Sequence, residues 1–505
     1  MHSASFGALF SMDVVLINPN LVVQRDDPFT TGIVYMPISL AYLAAALREA
    51  GHMVQVIDAY AAAPGQTRSS GKFLFFGLSN EQLLQQLRTG INAIFVYAIN
   101  LTNHLSSVEI VRKAKRAFPD VPVIVLENTQ AVTAYALSQV AGEFYAAGAD
   151  YILTGEAEQR ALQLLEVLER DVDENALRTI DGLGTPRFYN PPRDFLTDKA
   201  LDALPFPAWE LFPLENYWSL HFAHGPLSAR RYLPLLTSRG CPYPCGFCVV
   251  PATNNQKWRP RSPINVVDEI EYFGKTLGVQ EFHIEDLDPT ISDSRIREIC
   301  TEILRRDLGV TWKIAAGTKV ETMRDEETID LMAKAGCRYI SISPETGSPR
   351  LLKLMRKPFN LEHAVRLVKR MNQVGVRSQA CFVLGYPGET EEDLRMTWNL
   401  VRDLTRVGVD EIALFIVTPV PGSSIYEKFS GYSSLSELNF SPSWRTDYAP
   451  LNRFRLRLYA HFLWWKLRYH PLKLLHQPIN FLRRRFETKM EMVPYRALVL
   501  RWLAR

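Results

Sequence analysis

The sequence predicts an α/β protein: a doubly wound parallel-sheet (Rossmann-like) domain, then a partial (β/α)6 barrel of the TIM type and a mostly helical C-terminal region. Three observations predict this class. Two series of short β-branched runs alternate with helical periodicity, a proline-rich stretch separates them, and the last segment shows no strand pattern. Strands that alternate with helices favour parallel sheets. We therefore expect four segments, bounded at 1–170, 171–230, 231–422 and 423–505.

The first series predicts the doubly wound domain. Amphipathic stretches at residues 37–50 and 106–118 lie between its apolar runs. Sheets of this kind bind ligands at the carboxyl ends of their strands. Residues 61–80 fit neither template, so we expect them to form an excursion or a lid. The predicted strands are 13–17, 54–57, 93–98, 121–126 and 151–153.

The second series follows a predicted linker. Residues 171–230 are rich in proline, aspartate and aromatic residues, and repeated prolines break helices, so we expect this segment to wrap one domain onto the next. Six strand–helix units then follow, too few for a closed eight-fold barrel but suited to an open one. The predicted strands are 233–238, 281–284, 311–315, 339–343, 378–384 and 411–417, and the predicted helices include 264–273, 326–334, 361–374 and 391–407.

Charge is concentrated at the C-terminal end of the chain. The 505 residues carry a net charge of +3, which is too small to indicate a nucleic-acid partner, and we expect none. From Arg453 onward, however, thirteen Lys or Arg residues accompany only two acids, Glu487 and Glu491. A basic helical surface rich in Trp and Tyr is usually a solvated face. The alternative is a peripheral contact with an anionic membrane, or contact with a hydrophobic substrate.

The termini and the cysteines bear on the compartment. No basic segment followed by an apolar core opens the chain, and no apolar run reaches about 18 residues. We therefore expect no leader peptide, no membrane-spanning helix and a cytoplasmic protein. Three of the six cysteines crowd into one loop, and none lies in the first 240 residues. This pattern indicates reduced thiols with one metal site.

The strongest chemical signal is RGCPYPCGFC, residues 239–248, directly after a predicted strand. Cys241, Cys245 and Cys248 have the spacing C-x3-C-x2-C, and three thiolates can ligate three irons of a cubane cluster and leave the fourth iron open. An open iron suits a small molecule that chelates it through an amine and a carboxylate. The alternative is a zinc knuckle, but structural zinc needs four ligands, and the other cysteines lie far along the chain.

This cysteine loop, with an aromatic residue before its last cysteine, resembles the signature of the radical S-adenosylmethionine (SAM) superfamily. Later segments are similar to that family in the same order: Glu285–Asp286, SISPETGS (341–348), LGYPGET (384–390) and TPVPGSSIY (418–426). The chain departs from the pattern at Thr318–Lys319, where relatives often carry an arginine. The resemblance implies a [4Fe–4S] cluster on the three cysteines and SAM contacts from Phe247, Glu285, Glu345, Gly385, Pro387 and Gly388.

The cysteine-free first domain resembles the cobalamin-binding subfamily of these enzymes in LINPN (16–20), residues 32–58 and DYILTGEAE (150–158). Residues 127–130, Glu-Asn-Thr-Gln, stand where relatives tend to have a Gly-Gly loop, and their bulk would crowd a bound nucleotide tail. His104 follows the third strand, outside the Asp-x-His-x-x-Gly context, so we expect cobalt to be held without a protein histidine. The resemblance implies cobalamin contacts from Asn18, Pro19, Thr102, Asn128, Thr154, Gly155 and Glu156.

The resemblance implies a radical SAM methyltransferase that C-methylates an unactivated carbon through a 5′-deoxyadenosyl radical and methylcobalamin, with a flavodoxin or ferredoxin-type electron donor. A cyclase or rearrangement enzyme with the same cofactors is the alternative, and product mass separates the two. An RNA methylthiotransferase is disfavoured because those enzymes carry extra N-terminal cysteines, and a non-catalytic carrier has no use for an open iron. The hydrophobic, basic end favours a lipid such as a hopanoid, or a tetrapyrrole, as substrate. The sequence assigns no catalytic side chain.

Overall fold

The computed structural model describes residues 11–27, 29–170 and 173–503. The predicted absence of a leader peptide concerns residues 1–10, which lie outside the described residues. The strands of the N-terminal part are β1 (Asp13–Asn18), β2 (Leu21–Gln24), β3 (Met53–Asp58), β4 (Thr67–Ser70), β5 (Phe73–Phe76), β6 (Ala93–Ala98), β7 (Val123–Glu127), β8 (Tyr151–Leu153) and β9 (Leu183–Gly184). Its helices are α1 (Ile38–Glu49), α2 (Asn80–Gln86), α3 (His104–Ala117), α4 (Leu137–Ala147), α5 (Ala157–Glu169), α6 (Glu174–Thr179), α7 (Asp198–Asp202) and α8 (Leu214–Ser219).

The N-terminal sheet confirms the predicted doubly wound fold. Its six strands lie in the order β3-β1-β6-β7-β8-β9, and all neighbours pair in parallel except β9, which is antiparallel. Strand β6 is buried along its whole length because helices cover both faces of the sheet. The strand β9 lies in the predicted linker, so that segment completes the sheet as well as connecting it to the barrel.

The predicted excursion at residues 61–80 has its own regular structure. Strands β4 and β5 form an antiparallel hairpin, and β5 also pairs with β2, so a three-stranded sheet lies beside the main one. Alternation in FLFF buries Phe73 and Phe75 in one small apolar cluster with Val22. This segment is a packed subsheet, which the sequence pattern did not resolve.

The barrel and the C-terminal region follow. Their strands are β10 (Tyr232–Leu235), β11 (Ser238–Arg239), β12 (Arg259–Pro260), β13 (Glu281–Ile284), β14 (Thr311–Thr318), β15 (Cys337–Glu345), β16 (Arg377–Leu384) and β17 (Glu411–Ile416). Their helices are α9 (Val250–Thr253), α10 (Pro263–Leu277), α11 (Asp293–Arg305), α12 (Glu326–Lys334), α13 (Pro349–Leu354), α14 (Leu361–Gln373), α15 (Glu391–Val407), α16 (Tyr448–Tyr469), α17 (Pro471–Leu475), α18 (Gln477–Arg483) and α19 (Lys489–Leu503).

Six parallel strands in the order β10-β13-β14-β15-β16-β17 form the predicted open barrel. One predicted strand, 233–238, is wrong as a single element. The chain bends after Leu235 because Asp286 accepts hydrogen bonds from the backbone nitrogen and the hydroxyl of Thr237, and β11 then pairs with β12 outside the barrel. This bend carries the cysteine loop to the carboxyl edge of the barrel.

Helix α19 bridges the two open edges of the barrel. Its first backbone N–H groups, at Lys489 and Met490, donate to the carboxylate of Glu411 at the start of β17. Next to the helix, the backbone nitrogen of Phe486 donates to Leu227, which lies shortly before β10. Farther along, Arg496 donates to the carbonyl of Phe29 in the N-terminal part. The C-terminal region is therefore part of the main core as well as being mostly helical.

In the described part of the chain, no helix combines the length and the apolar character that crossing a membrane requires.

Candidate active site between the two parallel sheets

The carboxyl ends of the two parallel sheets face one another across a cavity of about 860 Å³. Asn100 and Asn128, which follow β6 and β7, line it from the first sheet, and Glu285 and Leu287, which follow β13, line it from the barrel. Aromatic side chains, among them Tyr35, form much of the remaining wall. Both folds place ligand-binding groups at these strand ends, so the cavity combines two such sites.

The cysteine loop lies at the rim of the barrel and is shaped by its backbone. Gly240 has φ +77°, and a Cβ there would lie 1.9 Å from the carbonyl oxygen of Lys257. The backbone N–H groups of Tyr243 and Val250 lower the pKa values of Cys241 and Cys248, against the larger effect of burial, and so favour their thiolate forms. Such donors are common around iron–sulfur clusters, where they tune the reduction potential.

The thiols of the loop need a metal to ionise. Burial raises the pKa of Cys241 to about 12, and burial also raises the pKa values of Cys245 and Cys248. The positive charge of Lys357 opposes this shift at all three sulfurs. A coordinating metal deprotonates a thiol outright, so these positions favour the metal-bound form over free thiolates.

The same loop does not have the geometry of a single-ion site. Within the described ranges, no group of three or more His, Cys, Asp or Glu side chains converges on one point that could hold one ion. A zinc knuckle needs four such ligands at one ion. In a cubane cluster each thiolate binds a different iron, so the sulfurs stand farther apart. The donor set fits the cluster better than the zinc alternative.

Phe247 anchors the loop to the barrel. Its side chain packs in a cluster of buried apolar residues that includes Leu351, Met355, Tyr386 and Ile425. The neighbouring Gly246 donates to the carbonyl of Met355, and a Cβ on it would lie 2.7 Å from the hydroxyl of Tyr386. Phe247 thus holds the loop against the ends of β15 and β16.

Glu345 occupies a strained position at the end of β15. Its φ of +62° is in the left-handed region, which non-glycine residues rarely adopt and which is often found at functional sites. Its carboxylate forms a buried ion pair with Lys357 at 2.6 Å. Burial on its own would lower the pKa of Lys357, but the charge and hydrogen bond of Glu345, together with the nearby Cys245 and Asp288, outweigh burial and raise the pKa. The lysine, which lies in a loop, was missed in the sequence because no motif marks it.

The turn after β16 carries the predicted Gly385, Pro387 and Gly388. Gly385 has φ +73°, and a Cβ there would meet Leu451 at 2.5 Å and Arg445 at 2.9 Å. Arg445 donates to the carbonyl of Gly385 at 3.0 Å. Gly388 also has a positive φ, +89°. The glycines therefore keep the turn close to α16 and leave its backbone free of side chains.

Glu285 and His224 form a pair on the wall of the cavity. Nδ1 of His224 and Oε2 of Glu285 are 2.7 Å apart, and both side chains are largely buried. Burial lowers the pKa of His224, so its neutral ring donates from Nδ1 to the carboxylate and keeps Nε2 as an acceptor. The Tyr35 ring lies against the imidazole, with ring centroids 4.7 Å apart. His224 lies in the predicted linker, so periodicity gave no sign of it.

Of the residues in the first domain that are expected to contact cobalamin, some line the cavities and others do not. Asn128 lines the large cavity, and its amide donates to the carbonyl of Ile99 at 2.7 Å. Thr102 lines an adjoining cavity of about 480 Å³. Asn18 and Pro19 are buried at the end of β1, where Asn18 donates to Asp58 at 3.0 Å, and neither lines these cavities.

Thr154, Gly155 and Glu156 lie away from the large cavity. The Thr154 hydroxyl donates to the carbonyl of Gly182, and Glu156 forms a buried ion pair with Arg259 at 2.7 Å. Gly155 and Glu156 line a third cavity of about 310 Å³. The cofactor contacts expected of Gly155 and Glu156 therefore concern this smaller space, Thr154 lines none of the three cavities, and all three contacts stay predictions.

Glu127 stands where relatives tend to have a Gly-Gly loop, and its side chain forms hydrogen bonds inside the protein. Its carboxylate accepts hydrogen bonds from the backbone nitrogens of Leu137 and Gly155, at 2.8 and 2.7 Å. Burial raises the pKa of Glu127 to about 7. The side chain is directed into the protein and does not line the large cavity, so it fixes the loop after β7 at the edge of the sheet.

His104 is fully buried at the start of α3. Its Nδ1 lies 3.0 Å from the hydroxyl of Tyr135, and its Nε2 lies 3.2 Å from the carboxylate of Glu143. Both ring nitrogens are therefore engaged within the protein. His104 therefore has a hydrogen-bonding role in the core of the first domain.

The walls of the three cavities carry polar atoms that could pair with an amide-bearing ligand. The three cavities follow the carboxyl edge of the first sheet and share wall residues: Tyr35 and Asn100 line the first and the adjoining one, and Tyr97 lines the first and the smallest. Gln130 Oε1, Thr418 Oγ1 and Asn439 Nδ2 are buried without hydrogen-bond partners among the described residues, and each belongs to a residue on these walls. Buried polar atoms normally have partners. A corrin, with amide groups around its rim, would supply both donors and acceptors.

Comparison with known proteins matches the barrel of this chain to a known family. The model of the radical SAM superfamily matches residues 235–401. The chain is 28% identical to cytidylyl-2-hydroxyethylphosphonate methyltransferase of Streptomyces wedmorensis, over 82% of this chain and 80% of that one. It is 31% identical to the anaerobic magnesium-protoporphyrin IX monomethyl ester cyclase of Rubrivivax gelatinosus, over 55% of this chain and 49% of that one, so it spans about half of the cyclase.

Solved structures share the architecture. The radical SAM methyltransferase TsrM from Kitasatospora setae, determined with tryptophan substrate and a SAM analogue bound, matches with a TM-score of 0.63 at 20% identity, over 84% of this chain and 77% of that one. The cobalamin-dependent SAM radical enzyme OxsB matches with a TM-score of 0.61 at 18% identity, over 86% of this chain and 57% of that one. Residues 235–401 are therefore a radical SAM domain, and the fold shared with TsrM and OxsB extends over 84% and 86% of the chain.

Proposed function

We propose that the protein is a cobalamin-dependent radical SAM enzyme that methylates an unactivated carbon of a small, largely apolar substrate. One observation carries the proposal: the cysteine loop packs against the first domain, with Cys241 and Cys248 against the apolar cluster that the first sheet forms with its helices. The amide of Asn254, just after α9, donates to the carbonyl of Thr129 in the loop after β7, at 2.8 Å. This contact would hold the two proposed cofactor sites in register.

Cys241, Cys245 and Cys248 would hold the [4Fe–4S] cluster, and the cavities at the edge of the first sheet would hold cobalamin. When bound, these groups and SAM supply a 5′-deoxyadenosyl radical and a transferable methyl group. The protein's own contribution is to orient the reactants and exclude water. Phe247 and its apolar cluster fix the loop, and the short Gly385–Gly388 turn leaves room for a nucleoside beside it.

The ion pair of Glu345 and Lys357 would bind the ammonium and carboxylate groups of SAM. Both groups are buried beside Cys245, and the charge of each acts on the Cys245 thiol. SAM presents an ammonium and a carboxylate to such a site, so a carboxylate and an ammonium of the protein can each pair with one of them. The strained backbone of Glu345 holds its carboxylate at the barrel rim.

The His224–Glu285 pair would position the substrate. It stands on the wall of the large cavity, and its orientation presents Nε2 as a hydrogen-bond acceptor. The wall around it is mainly aromatic and aliphatic, including Tyr35, Val34 and Leu287. A cavity of this composition suits an apolar substrate with one or two polar groups. An electron donor of the flavodoxin or ferredoxin type would reduce the cluster.

A second candidate function is ring formation without net methylation. It rests on the 31% identity to the Rubrivivax gelatinosus cyclase, although the chain covers only 49% of that protein. The cyclase hypothesis predicts a product that is not heavier than its substrate by one methyl group. We favour methylation because the methyltransferase match extends over 80% of the relative's length.

The decisive experiment counts by-products during anaerobic turnover of the reconstituted enzyme. A methyltransferase of this type consumes two SAM molecules per product, and we expect 5′-deoxyadenosine and S-adenosylhomocysteine in about equal amounts once a substrate is supplied. Deuterated SAM methyl groups should label the product. Turnover that forms 5′-deoxyadenosine without S-adenosylhomocysteine would contradict methylation and assign the cyclase class. Formation of neither by-product would contradict both.

A further inference from the structure

Helices α16, α17 and α18 carry an exposed surface that the proposed chemistry does not use. Of the twenty large hydrophobic side chains that are exposed among the described residues, nine lie between residues 456 and 482. The exposure reaches 67% at Leu472 and 82% at Leu482. Single exposed hydrophobic residues are normal, but a contiguous group of this size marks a contact surface. The members are Leu456, Leu463, Trp464, Leu467, Tyr469, Leu472, Leu475, Ile479 and Leu482, which we call the apolar surface.

Helix α16 is apolar on two sides. Leu458, Phe462 and Trp465 face the barrel and are buried. Leu456, Leu463 and Leu467 follow one another at i, i+7 and i+11, so they form one stripe on the opposite, exposed face. A helix with a single partner needs one apolar stripe, and the second stripe therefore indicates a second partner.

The charge around the apolar surface is of one sign. No Asp or Glu occurs between Asp447 and Glu487, a stretch that holds nine Lys or Arg residues. Six of its arginines are exposed and form no ion pair with any described residue: Arg453, Arg457, Arg468, Arg483, Arg484 and Arg485. Partly exposed arginines elsewhere, such as Arg306 and Arg370, pair with neighbouring acids, and unpaired ones such as Arg112 lie in segments that also contain acids. The charge of this surface is thus left for an external anion.

From Lys466 onward the surface lies at the amino end of β17, whereas the start of α16 lies beside the turn that follows β16. His470 lies with Nε2 3.1 Å from the carbonyl oxygen of Arg406, Lys473 donates to Gly408 at 2.6 Å, and Lys466 donates to Asp410 at 2.5 Å. These acceptors immediately precede β17. A partner bound here leaves the cavity between the sheets unobstructed.

We propose that the apolar surface and its six arginines bind the enzyme to the surface of an anionic lipid bilayer. Leucine and tryptophan side chains enter the boundary between headgroups and acyl chains, while arginines contact the anionic headgroups. A second protein subunit would bury the leucines but would also have to neutralise six unpaired arginines, and the exposed surface carries no acids of its own for a symmetric partner to offer. The charge pattern therefore favours lipid over self-association.

The test is co-sedimentation of the full chain with vesicles of phosphatidylglycerol and phosphatidylcholine, compared with vesicles of phosphatidylcholine alone. We expect binding to the anionic vesicles only. Arg457→Gln/Arg468→Gln/Arg483→Gln should weaken binding on the order of a hundredfold, because each charge near an anionic surface contributes about a factor of five. The control Arg88→Gln/Arg112→Gln/Arg116→Gln removes three exposed, unpaired arginines from the first domain and should leave binding within about twofold.

Two triple variants test how much the apolar side chains contribute to vesicle binding, one on the apolar surface and one elsewhere as its control. Leu472→Glu/Leu475→Glu/Leu482→Glu should abolish binding, whereas Met53→Glu/Ile264→Glu/Leu304→Glu, at exposed apolar positions elsewhere, should not. All six positions are exposed, so both variants should fold. On binding, tryptophan emission should shift to the blue, and Trp464→Phe should remove most of the shift.

Three outcomes would overturn the proposal. Equal binding to neutral vesicles would exclude recognition of anionic headgroups, and binding that survives both sets of substitutions would exclude this surface. If the wild-type chain ignores vesicles but is a dimer by light scattering, and the Leu→Glu variant is a monomer, then the surface is an interface between two copies of the chain.

Discussion

Removal of the Arg239 side chain should loosen the junction between the two domains and release the cluster loop. Arg239 stands two residues before Cys241, and its guanidinium forms a buried ion pair with Glu158 on α5 at 2.8 Å. The side chains are only 5% and 4% exposed. The guanidinium also lies over the ring of Tyr42 on α1, 5.0 Å from its centre. One residue therefore ties the start of the loop to two helices of the first domain.

The expected loss of unfolding free energy follows from the burial of this ion pair. Burial on its own would lower the pKa of Arg239, but the carboxylates of Glu158 and Glu156 outweigh it and raise the pKa, so the arginine is charged. Arg239→Met keeps the packing volume but leaves Glu158 buried and unpaired, which costs about 3–5 kcal/mol of unfolding free energy. Arg170→Met is the matched control, because its partner Glu166 lies on the same helix in an exposed pair and the expected cost is below about 1 kcal/mol.

Urea titration followed by tryptophan fluorescence measures the cost, and iron and sulfide analysis after anaerobic desalting measures cluster retention. The double variant Arg239→Met/Glu158→Gln should lose about 1–3 kcal/mol less unfolding free energy than the sum of the two single variants, because it also removes the buried, unpaired carboxylate of Glu158. If Arg239→Met unfolds within 1 kcal/mol of the wild type and keeps its iron, or if the two substitutions are additive, then the ion pair does not hold the domains together.

Three further predictions concern the cofactors and their sites. Cys→Ala substitution at 241, 245 or 248 should remove the [4Fe–4S] absorption, while the other three cysteines should be dispensable; bound zinc, or about eight irons per chain, would refute the single cluster. The cob(II)alamin form should show no imidazole splitting in its electron paramagnetic resonance spectrum, and splitting that disappears in His104→Gln would refute the expectation that no histidine binds cobalt. Gly385→Val should weaken SAM binding at least tenfold by equilibrium dialysis with the cluster content unchanged, since its Cβ would meet Leu451 at 2.5 Å in a backbone conformation of φ +73°; unchanged affinity would place the nucleoside elsewhere.

Local pattern was sufficient for most of the fold. The predicted helices 326–334 and 391–407 match α12 and α15 at both ends, because side-chain periodicity and N-capping by Asp325 and Thr390 are properties of neighbouring residues. The strand predicted at 233–238 failed at Thr237, whose backbone is redirected by Asp286, 49 residues later in the chain. Contacts of that separation leave no trace in a short window of sequence.

The parallel α/β class, the cysteine loop and the order of strand-end motifs follow from the sequence alone, because each depends on residues within a few positions of one another. Which side chains meet at the cavity wall and at the junction of the two domains depends on the tertiary fold. His224 and Glu285 are 61 residues apart, and Glu158 and Arg239 are 81 apart, so their pairing depends on how two complete sheets pack. The same holds for the apolar surface, because a basic, leucine-rich helix has the same sequence whether its second stripe is buried or exposed, and only the packing of the barrel leaves that stripe uncovered.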